Sequence, residues 1–279
     1  DFDGVYFTVM SILLFHQECL DEIELLIIDN NPSSEHGKAV ADLAKKVKIR
    51  YIPAAEFKGT TVRERVFLEA RGDFVMCVDC HVFLHQGVIA RLLNYISEHP
   101  DSKDIWHGPL VSEDIGTIST HMTERWQQGF FGVFEQNDRA KDPEGEPFEI
   151  PMQGLALFVC KRTNWAGFNR KFRGFGGEEG YIHYKFALAG GKTWCLPFLR
   201  WTHRFPRPNG VKYENRWEHR VRNYLLGWSE IGRDTQSIYD HFSEQLGARE
   251  VGKIHRALQA EMASPFWDFD SVYQLNSQP

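Results

Sequence analysis

Three short apolar runs separated by helix-patterned stretches constrain this chain more than any other feature. IELLIID (23–29), KIRYIPA (48–54) and DFVMCVD (73–79) read as buried strands. Helical spacing of apolar residues marks 4–20 before them, 37–47 and TVRERVFLEAR (61–71) between them, and QGVIARLLNYISEH (86–99) after them. In the last of these, Val88, Ile89, Leu92, Leu93 and Ile96 share one side. Strands alternating with helices predict a mostly parallel sheet with helices on both faces. Ligands of such sheets bind beyond the carboxyl ends of the strands, and DNN (29–31), KGTTVRER (58–65) and DCH (79–81) all fall at those ends.

Past residue 105 the rhythm changes. GPLVSEDIGTISTHM (108–122) reads as a strand pair or a loop, NDRAKDPEGEPFE (137–149) as a polar, mobile surface segment, and IPMQGLALFVCKR (150–162) as a buried strand. GFGGEEGYIHYKFALAGG (174–191) is a glycine-rich turn entering a helix, and TWCLPFLRWTHRF (193–205) returns as a strand. Residues 215–262 are largely helical and end in the aromatic tail SPFWDFDSVY. With neither repeat nor linker, 279 residues make one catalytic domain, 1–210, and a helical C-terminal extension, 211–279, packed on it. A hydrophobic fraction of 42% and a charged fraction of 25% describe a globular chain. No apolar run approaches the roughly 18 residues of a membrane span, and VYFTVMSILLF lacks signal-peptide flanks, so a soluble, cytoplasmic protein is expected. Five cysteines, an odd count without disulfide-framework spacing, favour a reducing compartment. Within CVDC, extended backbone sends Cys77 and Cys80 to opposite faces, against a redox or zinc role. The first residue is Asp1 and not a methionine, so an upstream portion is expected.

The chemistry-bearing residues cluster at the strand ends. In extended chain Asp79 and His81 point to the same side, about 6–7 Å apart, where carboxylate and imidazole can hold one divalent cation; the alternative is a polar strand end. Arg63 and Arg65 open a helix where guanidinium forks fit phosphates, or they form a solvated helix face. Glu178 and Glu179 open another helix, a place the dipole favours for acids, and the glycines before them let backbone approach a ligand. The net charge of −6 argues against a protein that coats nucleic acid. Residues 161–173 nevertheless carry five basic residues and no acid, and 200–222 carry seven against Glu214 and Glu218. Both runs are interleaved with Trp and Phe, which suits a polyanion as well as a solvated face.

These motifs, over about residues 4–206, resemble the GT-A glycosyltransferases, the nucleotide-sugar-dependent fold of family 2 and of the polypeptide N-acetylgalactosaminyltransferases. VDCH stands where that family has its Asp-x-Asp or Asp-x-His metal motif. PMQGLALFVCKRTNWAGFNRKFRGFGGEEGY resembles its AGG…FxGWGGEN stretch along the donor sugar, and LRWTHRF resembles the later segment whose histidine completes the metal site. The resemblance implies an α/β fold class: a GT-A, Rossmann-like, mostly parallel sheet with helices on both faces and a helical C-terminal extension. It implies Asp79, His81 and His203 as metal ligands, with Mn²⁺ suiting carboxylate and imidazole better than Mg²⁺ alone. It implies a donor site, for UDP-sugar above all, from Asp29, Asn30, Arg63, Arg65, Asp79, Gly154, Gly176 and Gly177. Asn30 departs from the acid that binds uracil in the family. The family's first strand would precede Asp1, with Asp1 and Asp3 as remnants of the loop after it. In inverting members the last acid of the glycine-rich motif is the base, which makes Glu179 the candidate with Glu178 beside it; in retaining members these acids orient the sugar.

IDNNPSSEHGKA, MCVDCHVFL, EIPMQGLALF and FRGFGGEEGYIH are similar to glycosyltransferases carried by bacteriophages, including those associated with TET-type dioxygenases. That group is thought to glycosylate 5-hydroxymethylated pyrimidines in DNA, so the resemblance implies 5-hydroxymethylcytosine as acceptor. Trp165, Arg170, Lys171, Arg173, Arg204 and Arg207 are its expected contacts, with Lys161, Arg162, Lys212, Phe168, Trp201 and Phe205 nearby, because a flipped or single-stranded base needs phosphate contacts and flat side chains. Two rival readings are a protein or glycan hydroxyl as acceptor, and a binding module on an inactive scaffold of the same fold.

Overall fold

The computed structural model describes residues 1–47, 49–57, 59–205, 215–264 and 267. The chain opens with α1 (Phe2–Phe15), capped by Asp1. There follow β1 (Leu26–Asp29), α2 (Glu35–Lys46), β2 (Arg50–Pro53), α3 (Arg63–Glu69), β3 (Phe74–Val78), β4 (Val82–Leu84) and α4 (Val88–Glu98). The helices form where the sequence places caps and charges: Ser34 Oγ accepts the Gly37 N–H at 3.0 Å to start α2, and Lys45 and Lys46 complement the dipole of its last turn. Short strands β5 (Ile105–His107), β6 (Leu110–Val111) and β7 (Ile118–Ser119) lead into a hairpin of β8 (His121–Gln127) and β9 (Phe130–Glu135). Then come β10 (Phe148–Glu149), β11 (Leu157–Lys161), α5 (Glu179–Leu188), β12 (Thr193–Cys195), β13 (Trp201–His203), α6 (Trp217–Glu230), α7 (Gln236–Leu246) and α8 (Ala248–Met262).

The central sheet has the order β10-β12-β5-β11-β3, and beside it lie the parallel pair β1-β2 and a second sheet, β4-β13-β6-β7. β5 and β12 run parallel, as do β6 and β13, whereas β11 is antiparallel to both β3 and β5. Side-chain alternation divides the core cleanly. Val75, Cys77, Phe158 and Cys160 face one layer, shared with α3, α5 and α6 to α8; Leu157 and Val159, with Phe74, Met76 and Val78, face the other, under α4.

Three local expectations change. The 193–205 run is two strands, β12 and β13, because LPFLR, with Pro197 lacking a ladder donor, interrupts it. The 137–149 segment holds a 3₁₀ turn at Asp138–Ala140 and ends in β10, where Ala140 and Phe148 enter a small core cluster. The β8-β9 hairpin had no counterpart in the sequence reading: HMTERWQ and FFGVFE do not alternate cleanly between apolar and polar.

Candidate active site

Asp79 directly follows β3, and Cys80 and His81 turn the chain into β4. Antiparallel pairing of β4 with β13 then sets His203 opposite Val82, beside His81, and the Arg204 N–H donates to the His81 carbonyl at 3.1 Å. The three side chains meet: Nε2 of His81 and Nε2 of His203 are 2.8 Å apart, and each lies 3.9–4.0 Å from Asp79 Oδ2. Asp79 and His81 therefore converge through a turn and not through strand alternation. Both histidines are buried and Asp79 is partly open to solvent. The other Asp79 oxygen accepts from Arg63 Nη2 at 2.8 Å, which fixes the carboxylate with Oδ2 turned to the imidazoles. Bonds of about 2.1 Å to one ion, at right angles or wider, put donor atoms roughly 3.0–4.2 Å apart. The two carboxylate–imidazole separations fall in that range, and the 2.8 Å between the imidazoles lies just below it and would open slightly around an ion. The mixed carboxylate–imidazole chemistry suits a divalent transition-metal ion.

This cluster sits in the wall of a cavity of about 1810 Å³ that also takes in Asp29, Asn30, Arg63, Gly154, Gly174, Arg170 and Glu179. Arg63 is largely buried; burial works against its charge, and the carboxylates of Asp79, Glu178 and Glu179 outweigh it and keep the guanidinium cationic. Glu179, at the start of α5, lines the cavity; burial raises its proton affinity, against the pull of Arg63 and Arg220. Glu178 lies behind it, 1% exposed, and burial followed by the Glu179 charge push its pKa upward. Of the two acids, Glu179 is the one that lines the cavity.

Asp29 is already engaged: its carboxylate accepts from Tyr51 Oη and from the Asn31 N–H, both at 2.8 Å. Gly154 lines the cavity next to the Phe134 ring. Gly176 and Gly177 adopt φ of +101° and +98°, but their close approach is to α6, where a Cβ would meet Arg220 and Asn223. Of the glycines of this loop it is Gly174 that lines the cavity, and its carbonyl accepts the Thr60 N–H at 3.1 Å. Arg65, one of the two expected donor arginines, pairs with Glu69 at 2.6 Å and does not line the cavity. Two residues along a helix is about 200° of rotation, so Arg63 and Arg65 take opposite sides.

The expected acceptor contacts mostly fall elsewhere. Trp165 is a core residue, stacked on Phe67 with ring centres 4.1 Å apart and donating Nε1–H to Glu64. Phe168 and Trp201 are equally buried. Arg173 lines the cavity but pairs with Glu261, the Lys171 ammonium lies over the Trp267 ring, and Arg204 pairs with Asp1. Of the nearby basic residues, Lys161 pairs with Asp101 and Arg162 donates to the Gly72 carbonyl. Arg207 and Lys212 lie outside the described residues. Arg170 and the exposed ring of Phe205 do line the cavity, with Phe205 4.2 Å from the His203 ring. The sequence reading missed Phe130 and Phe134 on the same wall, since aromatics in an unrecognised hairpin carry no signal of which way they face, and it passed over Phe175 between the glycines of the GFGG turn.

The family model of Glycosyl transferase family 2 matches residues 7–157. Polypeptide N-acetylgalactosaminyltransferase 12 of Mus musculus is 24% identical over 290 residues, covering 95% of this chain and 48% of that protein. The crystal structure of GalNAc-T7 with UDP, GalNAc and Mn²⁺ matches with a TM-score of 0.62 at 19% identity, covering 90% of this chain and 52% of that one. The mannosyltransferase PcManGT from Pyrobaculum calidifontis, in complex with GDP-Man and Mn²⁺, matches with a TM-score of 0.55 at 13% identity, covering 96% and 73%. The two structural likenesses show a shared fold. The chain spans about half the length of the curated relative it matches. Among the described residues, no helix is long and apolar enough to cross a membrane.

Proposed function

The chain belongs to glycosyl transferase family 2, and on that premise we propose that it moves a sugar from a nucleotide diphosphate, UDP by preference, to an acceptor hydroxyl. The observation that carries this reading is the convergence of Asp79, His81 and His203, with ligand atoms all within 4.8 Å, in the same cavity wall as Glu179. A divalent ion such as Mn²⁺ held there would supply the positive charge a departing nucleotide diphosphate requires. Arg63 orients Asp79 and adds a fixed cation beside it. Glu179, facing the cavity with raised proton affinity, takes the proton of the acceptor hydroxyl in an inverting reaction. Asp29 and Asn30 at the end of β1 form the edge that meets the nucleotide base.

For the acceptor, the proposal is the hydroxymethyl group of 5-hydroxymethylcytosine in DNA. Its support is narrower than the basic runs suggested: Arg170 for a phosphate and the exposed Phe205 ring for an unstacked base, both on the cavity wall. The cytoplasm, of the host if the enzyme is phage-encoded, is the proposed setting, because DNA is there.

The test is donor turnover with added Mn²⁺, followed by mass spectrometry of hydroxymethylated DNA, a peptide library and glycans. Asp79→Ala and His203→Ala should each lower Mn²⁺-dependent UDP-sugar turnover by at least about 10²-fold, in keeping with loss of a first ligand. Full metal-dependent turnover by His203→Ala would remove the three-ligand site. Sugar on a peptide or glycan and never on DNA would keep the transferase and discard the DNA acceptor.

A further inference from the structure

We infer that His183, oriented by His107, is a positioning residue for the proposed transfer: its imidazole ties the first turn of α5, which Glu179 opens, to the cavity wall at Gln153 and Gly154 and to β5. The inference rests on the proposed function for the reaction that the pair serves. His107 is the last residue of β5, where strand alternation puts it on the face of Ile105, toward α5. His183 stands about one helical turn beyond Glu179 on α5. Both side chains are buried, and their Nε2 atoms meet at 2.9 Å.

The partners of the two rings fix where the protons sit. The Gln153 N–H donates to His183 Nε2 at 3.3 Å, so that nitrogen carries a lone pair. The proton of His183 is then on Nδ1, which donates to the Glu179 carbonyl. His107 Nδ1 lies 3.0 Å from the Leu157 carbonyl of β11. Burial favours the neutral form of both imidazoles, taking His183 down to about 4 and His107 well below its ordinary value. A neutral His107 has one proton to offer two acceptors, the Leu157 carbonyl and His183 Nε2. His107 is therefore the adjustable partner, and His183 the one with a set proton order.

Two observations direct this network at the site. Among the described residues no side chain caps α5, so the placing of its first turn depends on contacts made outside that turn. Gln153 leads directly into Gly154, which lines the cavity with Glu179. The Gln153 side chain accepts the Gly154 N–H at 2.9 Å and donates to the Ser119 carbonyl at 3.4 Å, so the bond to His183 reaches a wall segment that is itself braced. One ring thus bridges the proposed base and the wall opposite the metal cluster's histidines. An apolar pair of equal volume would fill the same space and leave the Gln153 N–H buried without an acceptor.

Donor kinetics with Mn²⁺ and a ring ¹⁵N spectrum of the parent test this together. His183→Phe should lower kcat by roughly 10–10²-fold and raise donor KM, because base and wall both lose their placing. His107→Phe, which removes only the orienting partner, should move the same two constants in the same direction by less. A glutamine amide overlays Nε2 and keeps an acceptor for Gln153, whereas an asparagine amide overlays Nδ1 and cannot reach it. His183→Gln should therefore recover most of the donor KM and His183→Asn should not, and this pair decides if His183→Phe fails to fold. In the spectrum at neutral pH, His183 should show a protonated Nδ1 and a bare Nε2. Parent-like constants in His183→Phe, equal losses in the two amide variants, or a proton on His183 Nε2 would each overturn the inference. A parent that turns over no nucleotide sugar sinks the proposed function, and the ring spectrum then decides the bridge; an active parent with unmoved variants sinks this inference alone.

Discussion

A single side chain decides most at Glu179. Burial raises its proton affinity, and a base works only when deprotonated, so kcat should rise with pH through a midpoint above the usual carboxylate range. Glu179→Gln should lower kcat by roughly 10²–10⁴-fold while leaving donor KM nearly unchanged. A kcat equal to that of the parent would leave Glu179 a helix-start acid and favour a retaining reaction. Glu64 offers a separate test on stability. It is 4% exposed, accepts from Trp165 Nε1 and the Phe168 N–H, and burial pushes its pKa up to about 7. A carboxyl with a raised folded-state pKa keeps its proton in the native protein after the unfolded chain has lost it. Its stabilising contribution is therefore complete below about 4.5 and lost as pH climbs to about 7, a difference on the order of 3 kcal/mol. Glu64→Gln keeps an acceptor oxygen without the titration, so chemical denaturation at pH 5 and pH 8 should show the parent losing more stability than the variant. An equal loss in both would mean that Glu64 is ionised in the fold. Residue chemistry was legible at Asp79 and His81 because metal-ligating types at a strand end are informative by identity, whereas His203 came from the resemblance of LRWTHRF and not from its own identity. It was misleading at Trp165 and Trp201, since basic and aromatic residues interleave in the same way whether the rings face water or the core.

Between elements, the clasp of Gly59 on Gly174 is the contact that joins the loop before α3 to the loop before α5. The two residues form an isolated parallel bridge, and the Thr60 N–H donates to the Gly174 carbonyl at 3.1 Å. Gly59 holds φ at +113°, and a Cβ there would stand 2.1 Å from the Gly174 oxygen. Gly59→Ala must therefore both leave its backbone region and open the clasp. Because Arg63 follows on one side and Glu179 on the other, donor KM and kcat should both worsen, by about tenfold or more, with a modest fall in melting temperature. Parent-like kinetics would show that the loops are positioned independently. Strands and helices up to α4 were legible because their periodicity and caps are local. Gly176 and Gly177 were read as ligand-facing for want of any local sign that α6 lies against them. Short β10 and the break between β12 and β13 escaped because two or three residues carry too little periodicity and their pairing is set by partners tens of residues away. The hairpin β8-β9 escaped because its seven- and six-residue strands do not alternate cleanly between apolar and polar.

At the scale of the whole molecule, the sequence suggests a boundary near residue 210, while the core runs across it. One hydrophobic cluster joins Phe67, Phe158 and Tyr181 to Val221, Phe242 and Leu258. α6 also reaches the loop before the proposed base. Asn223 Oδ1 accepts the Arg173 N–H, its Nδ2 donates to the carbonyls of Arg173 and Gly176, all at 2.9 Å, and Tyr224 Oη accepts the Phe131 N–H at 2.8 Å. Asn223 is fully buried, so truncating it strands backbone groups of the GFGG loop without water to replace it. We expect the full chain to unfold in one transition, with near- and far-ultraviolet circular dichroism midpoints coinciding. Asn223→Ala should lower stability by about 2–4 kcal/mol and cut kcat more than donor affinity, since it loosens the turn that aims Glu179. Asn223→Asp restores the acceptor for Arg173 but not the two donors, and should recover only part of either loss. If instead the helices α6 to α8 melt in a separate step, or Asn223→Ala loses stability with kcat intact, the C-terminal helices are an appended layer and the site is held by the sheet alone.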